Sequence, residues 1–122
     1  MICDAPVAIH APGHETTIRA ALGIVSAATG VRFSEGPDPV LTFRLGQSPA
    51  LGWYTGDAIT VDPALRPGRL LVRIYLHELG HWLGMEHNDH AHSLMNLTGW
   101  PIIPAFTARD LTEARRLTAY CR

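Results

Sequence analysis

His77-Glu78-Leu79-Gly80-His81-Trp82-Leu83-Gly84-Met85-Glu86-His87 is the stretch on which the reading of this chain turns. His77 and His81 are four residues apart. If Arg69 to Leu83 is helical, as Leu70, Ile74, Leu76 and Leu79 suggest, the two imidazoles share one face about 6 Å apart along the axis. Both could then reach one metal ion at roughly 2.0–2.1 Å. A third ligand must approach from another direction, and six further residues of helix would aim His87 wrongly. Gly84 removes the difficulty, because glycine takes the left-handed conformation that stops a helix and turns the chain. Three neutral imidazoles leave a fourth position for water, the pattern of a catalytic zinc site. Glu78 is not needed as a ligand and is placed to accept a proton from that water. These five positions match by chance on the order of a few times per million chains of this length.

The extended histidine pattern resembles that of the metzincin zinc peptidases, and within them the matrixin branch. Met95, in Ser93-Leu94-Met95-Asn96, lies where the matrixin Met-turn places its methionine, which implies an apolar floor beneath the metal. Residues 18–35 resemble that family's first helix and following strand. Gly56 to Asp62 resembles the strand before the active-site helix, and Thr107 to Tyr120 the closing helix. The resemblance implies a zinc-dependent endopeptidase with one Zn2+, held by His77, His81 and His87, with Glu78 as general base. An extended substrate would add as a strand to the exposed edge around Leu51, Gly52 and Trp53, and by resemblance the specificity-pocket wall starts at Leu97 and runs to Ile103. That wall is apolar, which leads to the expectation of an apolar side chain on the leaving-group side. The chain departs from the matrixin pattern at Asn88 and at Asn96-Leu97, and with Leu97 in place of a tyrosine no tyrosine-assisted oxyanion is expected. The matrixin structural-zinc histidines are not evident. Asp57 and Asp62 are read as turn and capping residues, and Ca2+ ligation by them stays open but is not expected.

Working outward, Val7 to Ala11 reads as a short strand and Ile18 to Ala28 as a helix closed by Gly30. Val31 and Phe33 begin an extended segment, Val40 to Leu45 a strand, Leu51 to Tyr54 an edge strand, and Ala58 to Val61 another strand. Asn88 to Phe106 lacks periodicity and is a long loop. Thr107-Ala108-Arg109-Asp110 is a capping box with Asp in place of Glu; a last helix follows. The class is therefore α+β: a small mixed sheet of about four to five strands with three helices, as a single domain over 1–122.

The 122 residues carry a net charge of -1, and all ten basic residues are Arg. Near-neutral charge gives no reason to expect nucleic acid or an anionic membrane as partner, and no apolar run is long enough to span a bilayer. A monomer acting on polypeptide is expected, and no signal peptide is visible. Cys3 and Cys121 either pair, which suits a secreted, oxidising setting, or are separate thiols; Cys3 as a thiolate cap on the metal is a third reading. His10, His14, His90 and His92 read as surface residues. Two other functions stay open: a zinc-binding interaction module, and a self-processing peptidase with no general substrate. Because ligand histidines must be neutral, activity is expected to fall below about pH 5–6.

Overall fold

The computed structural model describes residues 3–47, 50–96, 102 and 104–121. Its elements run β1 (Asp4–His10), α1 (Glu15–Thr29), β2 (Arg32–Glu35), β3 (Leu41–Leu45), β4 (Gly52–Tyr54), β5 (Ala58–Val61), α2 (Arg69–Leu83) and α3 (Ala108–Leu117), with a last 3-10 turn at Ala119–Cys121. The strands form one five-stranded sheet in the order β2-β1-β3-β5-β4. All neighbours are parallel except β4, which runs antiparallel to β5 with Trp53 opposite Thr60. The α+β class and the three helices are as the sequence leads one to expect.

Strand β1 begins three residues earlier than its alternation suggests, and it includes Pro6. A proline inside a strand removes a donor. Here the cost is small, because β3 joins only at Leu41 opposite Val7, one residue further on. On that side Pro6 need only accept, and it does so from the Val40 N–H at 2.9 Å. β5 lies between β3 and β4 and is buried at all four positions, so its sequence is a continuous apolar and threonine run rather than an alternating one.

α1 packs against α2 and over β1 and β2; α2 lies over β4 and β5. The core between them gathers Val7, Ile18, Val25, Phe43, Ile59, Leu76 and Leu79, each at most 1% exposed. α3 closes the layer against α1 and α2. Its N-terminus carries the expected capping box, with the Thr107 and Asp110 side chains each satisfying the other's backbone N–H.

Cys3 and Cys121 form a disulfide, which removes the reading of Cys3 as a free thiolate. A crosslink that closes nearly the whole chain restricts the unfolded ensemble by roughly 4–5 kcal/mol in the chain-entropy model.

His14 is not a surface residue. It is 2% exposed and bridges two distant elements. A carbonyl can only accept, so Nε2–H donates to Leu65 O at 2.7 Å, and Nδ1 accepts from the Tyr75 hydroxyl at 2.8 Å. Its partners lie 61 and 51 residues along the chain. The local Pro12-Gly13-His14 sequence carries no sign of either.

Candidate active site

α2 ends where Gly84 takes φ 103° and ψ 8°. Gly84 N–H donates to His81 O at 2.9 Å and Met85 N–H to Gly80 O at 2.8 Å. This pair of bonds is the Schellman arrangement, and it turns the chain back beneath the helix it has just left. His87 thereby meets the two helical histidines. The Nε2 atoms stand 3.2 Å apart for His77 and His81, 3.1 Å for His77 and His87, and 3.0 Å for His81 and His87.

The far nitrogens of two rings are committed. His77 Nδ1–H donates to Leu94 O at 2.7 Å and His81 Nδ1–H to Met85 O at 3.0 Å. Each bond fixes the tautomer that leaves the Nε2 lone pair free, the usual device around metal-bound imidazole. Two lone pairs are thus aimed at the point where His87 Nε2 also arrives, and an ion there would be met by three nitrogens. A tetrahedral ion with bonds of roughly 2.0–2.1 Å sets its donors about 3.3 Å apart, so the donor set fits zinc. Among the described residues this trio is the one group of three or more potential ligands brought together in this way.

Electrostatics keeps the two helical histidines neutral. Burial, reinforced by the facing His81 and His87 rings and by Arg73, pushes His77 down to about 4, against a smaller upward pull from the Leu94 carbonyl. Burial also lowers His81. Glu78, 6% exposed, is pushed up to about 7 by burial. A carboxyl group tuned to that value can both take and return a proton near neutrality.

Met95 is fully buried, and its sulfur lies against the helix backbone between the two helical ligands: a Cβ at Gly80 would sit 2.6 Å from Sδ. Only glycine at position 80 allows this approach. The turn carrying Met95 is pinned from α3. Asp110 Oδ1 accepts from the Ser93 hydroxyl at 2.6 Å, and Oδ2 accepts from Leu94 N–H at 2.8 Å. Leu94 is the residue whose carbonyl orients His77, so one buried carboxylate links the α3 cap to the ring of a candidate ligand. The sequence shows Asp110 as a cap and gives no sign of this second task.

Leu51, Gly52 and Trp53 border the cradle from the sheet edge. β4 ends the sheet, and Gly52 approaches α2 so closely that a Cβ there would meet Ile74 at 2.9 Å and Glu78 at 3.5 Å. Two hollows flank the site. One, of about 570 Å³, lies between Trp53, Tyr54 and the histidines. The other, of about 210 Å³, is bounded by Leu51, Ile74, Glu78, Asn96 and Arg73. A larger polar cleft of about 750 Å³ lies behind the Gly84–His90 turn against α3 and takes in none of the three converging histidines. Leu97 and most of the expected wall fall outside the described residues. His90 and His92 are exposed. Asp62 accepts from Ala64 N–H at 2.8 Å, as a turn residue does.

No protein-family model and no curated protein sequence matches the chain. Among solved structures it is similar to high choriolytic enzyme 1, a hatching enzyme zinc-protease from Oryzias latipes (medaka fish), with a TM-score of 0.63 and 14% identity. The match covers 99% of this chain and 91% of that one, so the two share a fold over nearly their whole length.

Proposed function

We propose that this chain is a zinc-dependent endopeptidase of the metzincin type, acting on extended polypeptides in an oxidising, extracellular setting. The observation that carries the reading is the convergence of three Nε2 atoms within 3.2 Å of one another beside a buried carboxyl group. The zinc-protease fold of the medaka enzyme supports it, and the Cys3–Cys121 disulfide supports the compartment.

His77, His81 and His87 would hold one zinc ion. Bound there, zinc supplies Lewis-acid chemistry, making water acidic near neutrality and polarising a peptide carbonyl. The chain's own residues do the rest. Leu94 O and Met85 O fix the two helical rings, so no reorganisation is needed to present their lone pairs. The apolar surroundings of Glu78 lift its basicity, so it takes the proton from the attacking water and returns it to the departing amine. Among the described residues β4 has a strand partner on one side only, so its other edge would take the substrate backbone, with Gly52 leaving space close to Glu78.

Glu78→Gln tests the assignment. The variant should bind zinc at the wild-type stoichiometry and lose about 10²–10⁴-fold in kcat on a general protein substrate. Wild-type turnover by that variant would remove Glu78 from the mechanism. Full zinc binding without cleavage by the wild type of any substrate, its own chain included, would favour a binding module.

A further inference from the structure

Arg73 sits one helical turn before His77, on the same face of α2. It is 7% exposed, and it lines the smaller hollow beside Glu78. A guanidinium group carries five N–H donors. Among the described residues Arg73 makes one hydrogen bond, from Nη2 to Asn96 O at 2.8 Å. No described carboxylate stands in salt-bridge range of it. Asp110 is the acidic group whose charge it feels, but that carboxylate is already engaged by four donors, from Ser93, Leu94 and the Thr107 backbone and hydroxyl. Burial accordingly holds the guanidinium below its ordinary pKa.

A buried cation without an ion pair is costly, and proteins normally pair it or leave it in water. This one faces an open hollow with unused donors in the fork geometry that matches a carboxylate. We propose that Arg73 makes this hollow a carboxylate receptor, so that the chain selects polypeptides with an acidic residue next to the scissile bond on the leaving-amine side. The side is the one that the family resemblance gives to the segment after Met95, whose first residue, Asn96, bounds the hollow. The position of the receptor rests on the peptidase reading above. It replaces the apolar preference drawn from the composition of residues 97–103. Four residues of helix separate Arg73 from His77 by about 6 Å along the axis, a span that glutamate bridges better than aspartate.

The experiment uses the zinc-loaded chain and a set of quenched peptides blocked at both ends, differing only at that position: Glu, Asp, Gln, Leu or Lys. Wild type should cleave the Glu peptide with a kcat/KM about tenfold or more above the Gln peptide, with Asp between them and Lys lowest. Arg73→Gln should bring the Glu-to-Gln ratio to within about twofold, and Arg73→Lys should restore part of the ratio. Equilibrium binding of the Glu and Gln peptides to the Glu78→Gln protein gives a readout independent of turnover. A parallel pair, with that residue as a free or an amidated C-terminus, tells a side-chain carboxylate from a chain end. Gain confined to the free C-terminus would keep the carboxylate receptor and replace the endopeptidase proposal with removal of terminal residues. A wild-type ratio at or below one, or a ratio unchanged in Arg73→Gln with zinc still bound, overturns the proposal. Glu-selective binding without cleavage by the wild type keeps the receptor and overturns the peptidase reading instead.

Discussion

The two halves of the site are built by opposite means. Residues 77–87 form a cradle almost wholly from local rules: helical spacing, one left-handed glycine, and hydrogen bonds to residues four or fewer positions away at His81 and Gly84. Residues 88–96 form the floor and one wall, and they are held from afar. Asp110 reaches back 16 and 17 residues to Leu94 and Ser93, and Arg73 reaches forward 23 residues to Asn96. Locally determined geometry can be read from spacing; geometry imposed by distant partners cannot.

Removing one ring from the local half should give the largest effect. His81→Ala should take bound zinc from one ion per chain to none, measured by metal analysis after dialysis, and activity with it; retention of a full equivalent would mean that the trio is not the metal site. Next comes the longest-range tie. Cys3→Ser with Cys121→Ser should lower unfolding free energy by about 4 kcal/mol in denaturant titration, with zinc retained at saturating metal.

Asp110→Ala tests the distant half directly. It strands buried donors on Ser93 and Leu94, and should cost about 3 kcal/mol in stability. It should also weaken zinc affinity by about 10–100-fold, because His77 loses its oriented acceptor. Unchanged affinity would show that the floor follows the cradle rather than shaping it.

Smaller is the pH response of the metal-free protein. His77 is held at about 4 in the fold against 6.5 unfolded, so the unfolded chain takes up the proton first and stability falls as pH drops from about 6.5 to 4. Glu78 is held at about 7 against 4.5, so the unfolded chain loses its proton first and stability falls as pH rises from about 4.5 to 7. The two slopes oppose each other over most of this range. Glu78→Gln removes one of them, so the variant should exceed wild type by about 2 kcal/mol at pH 8 and match it at pH 4 in the presence of chelator. The smallest change expected is Gly84→Ala, about 1 kcal/mol, since φ 103° strains any L side chain.

The fold was legible wherever periodicity was long or punctuated. α2 runs Arg69–Leu83 as its apolar spacing and Gly84 indicate, and β5 runs Ala58–Val61 up to Asp62-Pro63. β1 starts before Pro6, a residue that resembles a boundary, and only the late arrival of β3 explains why the proline is tolerated. Within the candidate site, the geometry of 77–87 could be derived from spacing, and Met95 came from family resemblance. His14, Arg73 and the second task of Asp110 could not be read, for one physical reason. Each is a buried polar group whose bonding partners, or in Arg73 the shortage of them, are set by elements far along the chain, and spacing does not encode that.

Gly84 also gives the site a handedness of its own. It is the one residue between His81 and His87 with positive φ, so the path joining the helical pair to the third ring passes through mirror-image backbone at a single point. A D-alanine placed there by chemical synthesis would enter its preferred basin, where L-alanine is forced out of one. The D-epimer should therefore outlast both glycine and L-alanine on heating. The geometry of the cradle thus depends on the backbone conformation of one residue that offers no ligand atom.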